Sequence, residues 1–330
     1  TELMAREDGL SIDVDGFNDF MLQQTNRARS SGRFQYETKE IEWIVIGDEN
    51  ATEFMGYDNT EVQAKIIKYH HNNHHYGMVL DKTSFYAEAG GQVGDTGHLI
   101  ADGFNFEVKD VQKSGEEYIH IGQISTGSIE NVQNVRAVIN ENRRYAIRRN
   151  HTATHLLHQT LKEILGDHIQ QAGSFVGEEI LRFDVTHYEQ ITSDQVSRID
   201  NLINSIILQN IEVSTEILPY KKACEVGAVS LFGEKYGDLV RVVNVPGFSK
   251  ELCGGTHVHR TGDIGGFKIT SETALATGIR RITAATGRAI QELITRHEHL
   301  IQDIRNTLKC SNKEILVRLN VLLDDRKYLE

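Results

Sequence analysis

Three histidines lie within the segment NHTATHLLH, which spans residues 150–158. His151 and His155 are four residues apart, so a helix places both imidazoles on one face, about one turn apart. His158 follows three residues later and competes for the same role. The segment alone fits two interpretations: a pair of ligands for one metal ion, or partly buried histidines that hydrogen-bond to carbonyl groups.

A second cluster, CGGTH, spans residues 253–257. Cys253 offers a thiolate and His257 an imidazole, and the two glycines between them can adopt backbone angles that fold both side chains inward. One sulfur and three nitrogens are a typical tetrahedral zinc environment. The long intervening segment is no obstacle, because loop-closure entropy grows only logarithmically. Together the segments predict Zn²⁺ bound by His151, His155, Cys253 and His257, in preference to a tight turn with a bystander cysteine.

The residue types leave the role of the zinc ion open. Peptidases with the H-E-x-x-H motif use its glutamate as the general base, but Thr152 occupies that position here, which argues against peptide hydrolysis. Four protein ligands would make the site closed and structural. A loose or absent ligand would instead leave room for a water or substrate oxygen that zinc polarises.

The surrounding patterns predict an α+β fold. Asn140 can cap a helix that Gly166 ends, and a second helix begins at Ser193. Short β-type runs between residues 41 and 139 predict a small β-barrel-like domain with a glycine-rich motif. Further strands are expected near 211–218, 239–245, 264–270 and 279–285, and helices after Gly287. We therefore expect a helical lead-in (1–40), a β-barrel-like subdomain (41–139), a zinc-binding core of mixed helix and sheet (140–287) and the start of a helical region (288–330).

Composition restricts the class of protein. The contents of 39% hydrophobic and 25% charged residues predict a soluble globular protein, and no apolar run approaches membrane-spanning length. The net charge of −12 argues against a broadly basic nucleic-acid surface but leaves room for a local basic patch. Three widely separated cysteines suit a reducing, cytoplasmic location.

A second histidine-rich segment is not predicted to bind a metal. YHHNNHHYG (69–77) carries four histidines but has no cysteine nearby. Its polar composition predicts a solvated, hairpin-like loop rather than a specific metal site.

The spaced pair HTATH and CGGTH resembles the editing domain of alanyl-tRNA synthetases. FYAEAGGQVGDTG (85–97) is similar to the glycine-rich motif of that family, and GIRRITAATG (278–287) is similar to the close of the domain. QQAGSFV (170–176) and LRFDVTH (181–187) resemble the segments after the histidine pair, and the opening DGLSIDVDGFNDFMLQQTNRAR resembles the stretch that enters the region. The resemblance covers nearly the whole chain.

The resemblance implies zinc-dependent hydrolysis of the ester bond in Ser-tRNA(Ala) and Gly-tRNA(Ala). It carries the family's zinc ligands onto the four residues named above and makes His158 a bystander. It links Thr154 with discrimination between amino acids and Gln171 with the editing reaction. It implies that Gly90, Gly91 and Gln92 shape the substrate pocket.

The resemblance also implies the acceptor end of tRNA(Ala), carrying serine or glycine, as the partner. NRRYAIRRN (142–150) places Arg143 and Arg148 just before the zinc helix, where we expect them to guide that acceptor end through its phosphates. Arg280 and Arg281 are similar candidates.

The family's adenylate-forming domain lies N-terminal to this region, so we expect this chain not to aminoacylate. The helices after 287 resemble the start of a C-terminal region through which the full-length protein would form a homodimer. The alternative function is a non-catalytic, zinc-stabilised module for tRNA docking or dimerisation.

Overall fold

The computed structural model describes Asp13, Gly16, Phe20 and the ranges 42–47, 51–72, 75–229 and 237–329. The chain divides into two compact units, Thr1–Trp43 and Ile44–Glu330. In the first unit, the backbone N–H of Gly16 donates to the Asp13 carboxylate at 2.8 Å. The predicted lead-in helix otherwise lies outside the described residues, and the division into four domains stays a prediction.

The described residues form sixteen strands and five α-helices. The strands are β1 (Ile44–Val45), β2 (Glu53–Phe54), β3 (Glu61–Asn72), β4 (His75–Leu80), β5 (Lys82–Thr83), β6 (Gly97–Ala101), β7 (Phe104–Ser114), β8 (Glu117–Thr126), β9 (Asn134–Ile139), β10 (Gln171–Val176), β11 (Leu181–Thr186), β12 (Ser214–Pro219), β13 (Leu239–Val245), β14 (Ser249–Leu252), β15 (Phe267–Ala276) and β16 (Ile279–Thr286). The helices are α1 (Glu141–Leu165), α2 (Ser193–Leu208), α3 (Tyr220–Glu225), α4 (Gly287–Leu308) and α5 (Ile315–Leu329).

Six antiparallel strands close into a barrel, in the order β3-β4-β8-β7-β6-β9, with β9 pairing back onto β3. The inward positions follow strand alternation: Phe104, Phe106 and Val108 of β7 are buried. A bulge between Val108 and Asp110 then shifts the phase, so that Val111 is the next buried residue. The barrel predicted from the short β-type runs is present.

Buried His120 of β8 gives the barrel a testable pH dependence. Its ring contacts the Met78 carbonyl at 3.0 Å and the Thr83 hydroxyl at 2.7 Å, and burial lowers its pKa to about 4. The unfolded chain therefore binds the proton more readily, and stability falls as the pH drops from about 6.5 toward 4. His120 should give the free energy of unfolding a pH-dependent contribution of about 3 kcal/mol. Denaturant titrations should show that His120→Gln loses this contribution and that the exposed variant His98→Gln retains it. Identical pH slopes in wild type and His120→Gln would contradict this.

The histidine-rich segment is a hairpin whose strands extend further than predicted. β3 continues through Asn72 and β4 begins at His75, while residues 73 and 74 lie outside the described ranges. His70 is buried rather than solvated, so the prediction of a solvated loop is wrong there. Its ring lies over Gly77, where an added Cβ would come within 2.2 Å of Nε2.

After the barrel, helices α1 and α2 pack against the four-stranded sheet β10-β11-β16-β15. α1 begins after Asn140, whose side chain accepts a hydrogen bond from the Arg143 N–H at 3.2 Å, and ends at Gly166, where φ is 114°. Both predicted ends of this helix are confirmed, and α2 begins at Ser193 as predicted.

Other elements differ from the prediction. β10, β11 and β14 are absent from the predicted strands. The strand expected at 264–270 begins only at Phe267, because residues Thr261–Ile264 form a 3-10 turn. β12, β13 and β14 form a separate three-stranded sheet, whose last strand leads directly to Cys253. Within the described ranges, no helix is long and apolar enough to cross a membrane.

Candidate metal site and adjoining cavity

Helix α1 and the segment after β14 bring the four predicted ligands together. His151 and His155 lie one turn apart with stacked rings, whose centroids are 5.3 Å apart. Cys253 follows β14, and its N–H donates to the Arg241 carbonyl of β13 at 2.9 Å. One ligand atom from each of His151, His155, Cys253 and His257 lies within 4.8 Å of all the others, so the cluster could hold a metal ion.

The nitrogens and the sulfur converge as one ion would require. Sγ of Cys253 lies 3.4 Å from Nε2 of His151 and 3.3 Å from Nε2 of His257. Nε2 of His155 is buried and has no hydrogen-bond partner among the described residues. A buried, unpaired ring nitrogen is costly, and a cation would satisfy it. One thiolate and three imidazoles are a donor set that zinc accepts, so these residues fit the ion.

Each of the three imidazoles is oriented through its Nδ1 atom. His151 donates to Oε1 of Gln92 at 2.7 Å, and His155 contacts Oε2 of Glu251 at 2.5 Å. Nδ1 of His257 lies 3.2 Å from the Thr152 hydroxyl, which itself donates to the Arg148 carbonyl at 3.0 Å. With every Nδ1 engaged, Nε2 is the nitrogen left for a metal.

Glu251 is a buried carboxylate that joins two histidines. Its Oε1 accepts from Nδ1 of His158 at 2.9 Å, in addition to the contact with His155. Burial alone would raise the pKa of Glu251, but His155 outweighs this effect and lowers it to about 2. Burial has the opposite effect on His155 and would lower its pKa, yet Glu251 and Cys253 together raise it to about 10. His158 is therefore outside the ligand cluster but tied to it through Glu251.

The surroundings of Cys253 favour its thiolate form. Burial opposes ionisation of Cys253, but His151 and His257 favour the thiolate and lower its pKa well below the usual value. Burial and the neighbouring His151 lower the pKa of His257 to about 3, which keeps this imidazole neutral. Thiolate and neutral imidazole are the forms that bind metals, so a bound metal ion would displace the proton that the raised pKa keeps on His155.

Glu251→Gln should weaken zinc binding by about tenfold to a hundredfold, the usual cost of losing an outer-sphere carboxylate. A glutamine offers only one acceptor oxygen, so it cannot accept from Nδ1 of both His155 and His158. Competition with a chelator measures the dissociation constant. Exposed Glu216→Gln removes the same charge from β12 and should bind zinc like the wild type. Equal affinity in Glu251→Gln and wild type would contradict this role.

Gly255 is required by a close approach rather than by its backbone angles. A Cβ at this position would lie 2.0 Å from Cε1 of His151 and 2.9 Å from Oε1 of Gln92. Neither Gly254 nor Gly255 has a positive φ, and the loop still turns the side chains of Cys253 and His257 toward each other. The glycine leaves room for the imidazole to reach the loop.

A cavity of about 440 Å³ adjoins the cluster. Of the predicted pocket residues, Gly90, Thr154 and Gln171 line it together with the ligands His151, His155 and Cys253. The Thr154 hydroxyl donates to the Asn150 carbonyl at 2.9 Å. The side-chain amide of Gln171 has no hydrogen-bond partner among the described residues. Gly91, Gln92, Arg143 and Arg148 are not among the lining residues that the structure describes.

The glycine-rich motif lies behind the cluster. Gln92 is fully buried, and its Oε1 also accepts from the Thr256 N–H at 2.9 Å, so it joins His151 to the CGGTH loop. Gly91 has a φ of 82°, and a Cβ there would lie 2.5 Å from the Ser174 carbonyl oxygen. The motif thus attaches the barrel to β10.

The arginines at the start of α1 mainly make intramolecular contacts. Arg148 is buried and donates from Nη2 to the Tyr57 carbonyl at 2.7 Å. Arg143 donates to the Gly94 carbonyl at 2.7 Å and lies 3.7 Å from Glu178. Arg144 is fully buried against Asp95. Of the other candidates, Arg280 pairs with Glu272 and Arg281 pairs with Asp184.

Two functional candidates were absent from the sequence predictions. Glu251 lies two residues before Cys253, and a carboxylate this close to a ligand is a usable signal for an outer-sphere partner. Arg241 lies twelve residues before Cys253 and lines the cavity, but nothing in its sequence neighbourhood marks it.

Two family models match parts of the chain. Residues 1–143 match the family model of class II (A) tRNA synthetases. Residues 240–283, which include Cys253 and His257, match the model of the threonyl and alanyl tRNA synthetase second additional domain.

Whole-chain relatives agree on one family. The chain is 43% identical to the alanine–tRNA ligase of Pseudothermotoga lettingae, over 97% of the chain and 38% of that relative. It is 41% identical to the alanine–tRNA ligase of Chlorobaculum tepidum, over 100% of the chain and 39% of that relative. The chain thus spans about two-fifths of the length of these curated relatives. It belongs to the alanyl-tRNA synthetase family.

Proposed function

We propose that this chain carries a zinc-dependent editing hydrolase, which cleaves the ester bond of Ser-tRNA(Ala) and Gly-tRNA(Ala). The observation that carries this proposal is the convergence of His151, His155, Cys253 and His257, the first three of which line a cavity of about 440 Å³. Such a volume suits the aminoacylated end of one nucleotide. Bound zinc would supply Lewis-acid polarisation at this wall.

The lining residues support recognition of a hydroxylated amino acid. Because the Thr154 hydroxyl already donates to the Asn150 carbonyl, its lone pairs are left to accept a hydrogen bond from the serine hydroxyl or the α-ammonium group. The Gln171 amide lines the same cavity, has no partner among the described residues, and can hold the ester or the ribose. Both residues then orient the ester against the metal-binding wall.

The physical need for such a site is the weak discrimination of small side chains. One methylene separates competing substrates by only about 1–3 kcal/mol, so an alanine pocket cannot firmly exclude glycine and rejects serine weakly. A second pocket that hydrogen-bonds the serine hydroxyl discriminates against alanine, which leaves that hydrogen-bonding site unpaired.

Deacylation rates test this function. The chain should hydrolyse Ser-tRNA(Ala) and Gly-tRNA(Ala) faster than Ala-tRNA(Ala). Thr154→Val, which removes the hydroxyl at nearly constant volume, should reduce the preference for serine over alanine by about tenfold, the value of one hydrogen bond near 1.4 kcal/mol. Exposed Thr307→Val on α4 serves as the matched control. Equal hydrolysis of all three substrates would contradict the proposal.

A non-catalytic module is the second candidate, and one observation favours it. Four protein ligands with three fixed Nδ1 atoms resemble a closed, structural zinc site. This alternative predicts a chain that binds zinc and tRNA(Ala) but leaves Ser-tRNA(Ala) intact. The exposed aliphatic side chains Leu300 and Leu316 on α4 and α5 would then serve a homodimer of the full-length protein.

A further inference from the structure

Arg241 of β13 is a cation at the cavity wall that pairs with no carboxylate among the described residues. Among the lining residues that the structure describes, it is the one lysine or arginine. The other site arginines differ: Arg144 pairs with Asp95, and Arg281 pairs with Asp184. In a chain of net charge −12, an unneutralised guanidinium beside a cavity needs a reason.

The guanidinium of Arg241 is held rigidly. Its Nη1 donates to the Cys253 carbonyl at 3.0 Å and to the Gly255 carbonyl at 2.9 Å. Its Cζ lies 4.2 Å from the centroid of the Tyr57 ring, and the Tyr57 hydroxyl donates to the Gly254 carbonyl at 2.7 Å. The metal-binding loop and the tyrosine therefore fix the plane of the group before any ligand arrives.

The rest of the guanidinium is available. Nε and Nη2 have no acceptor in the described part of the protein, and neither is among its buried, unpaired atoms. A fixed guanidinium with such N–H groups matches the oxygen atoms of a phosphate, in which two parallel hydrogen bonds form.

We propose that Arg241 binds the phosphodiester that joins the terminal nucleotide of the acceptor end to the rest of the tRNA. This inference rests on the proposed function, because it needs the aminoacyl ester to lie in the same cavity. That phosphate is the anion nearest to an ester on the terminal ribose. Arg241 thereby sets the depth to which the acceptor end enters and brings the ester to the ligand cluster. It is a positioning residue.

The test compares two substrates that differ in phosphate. Ser-tRNA(Ala) has the phosphodiester, whereas seryl-adenosine has the same ester and ribose without any phosphate. Arg241→Met should raise KM for Ser-tRNA(Ala) by about tenfold to a hundredfold, the value of a charge-assisted hydrogen bond, and leave kcat nearly unchanged. Its kcat/KM for seryl-adenosine should equal that of the wild type. Arg241→Lys should recover part of the loss, because it keeps the charge.

Binding of uncharged tRNA(Ala) provides a readout that does not depend on hydrolysis. Loss of one phosphate contact should lower the slope of log affinity against log salt by about 0.7, the value for single strands. Arg182→Met is the matched control, since Arg182 also lies over an aromatic ring, Phe175 at 4.5 Å, but does not line the cavity.

Two results would overturn the proposal. The first is that Arg241→Met loses kcat/KM equally on both substrates, or loses its bound zinc. Either outcome would mean that Arg241 only supports the CGGTH loop. The other is an unchanged KM and salt slope. If wild type hydrolyses neither substrate, the proposed function fails, while the tRNA affinity and its salt slope still decide the phosphate contact.

Discussion

Replacing Cys253 and His257 together by alanine is expected to release the zinc and to lower the rate of Ser-tRNA(Ala) deacylation by about a thousandfold. The double variant keeps only His151 and His155, and two imidazoles do not hold zinc in a four-ligand site. Lewis-acid stabilisation is worth several kcal/mol, and each 1.4 kcal/mol is a factor of ten in rate. Zinc content and single-turnover deacylation measure the two effects.

The matched control removes a cysteine and a histidine elsewhere. Cys224 and His259 are both exposed, so Cys224→Ala with His259→Ala should retain zinc and activity. Deacylation by Cys253→Ala with His257→Ala at the wild-type rate would show that the cluster does not serve the reaction.

Arg144→Met should lower the free energy of unfolding by about 3–5 kcal/mol, the usual cost of breaking a buried ion pair. The guanidinium is fully buried, pairs with Asp95, and donates to the carbonyls of Gly56 at 2.5 Å and Ser84 at 2.8 Å. Methionine fills much of the volume but leaves the Asp95 carboxylate buried without its partner. Because Arg144 lies on α1 and its partners belong to the barrel region, the contact between Gln92 and His151 should loosen as well.

A double-variant cycle separates the ion pair from the lost packing. Arg144→Met with Asp95→Asn removes both charges and should be more stable than Arg144→Met alone. Exposed Arg288→Met at the start of α4 should change stability by less than about 0.5 kcal/mol. A loss below about 1 kcal/mol in Arg144→Met would contradict the role assigned to this pair.

Local signals predicted the helix that carries His151 and His155 but not the strand β14 that leads to Cys253. Asn140 and Gly166 mark the ends of α1 in the sequence because a cap and a helix-ending glycine act on their nearest neighbours. The sequence does not predict strand β11, because the charged residue Asp184 interrupts its apolar pattern and the partner Arg281 is remote in sequence. The formation of β11 therefore depends on its pairing with β16.

Local sequence patterns do not predict which polar side chains are buried. The arginines of NRRYAIRRN look alike in sequence, yet Arg144 is buried against Asp95 and Arg148 against the Tyr57 carbonyl. Gln92 was expected at the substrate, whereas its side chain lies behind His151. These partners are 49 to 91 residues away along the chain, so only the fold identifies them.

X-ray absorption spectroscopy of the zinc-loaded protein tests most directly whether α1 and the CGGTH loop hold one ion. The ligand cluster predicts one sulfur at about 2.3 Å and three nitrogens at about 2.0–2.1 Å. Cys253→Ser should remove the sulfur contribution, and Cys224→Ser should leave it unchanged. A wild-type spectrum without sulfur, or one that keeps its sulfur in Cys253→Ser, would contradict the four-ligand site.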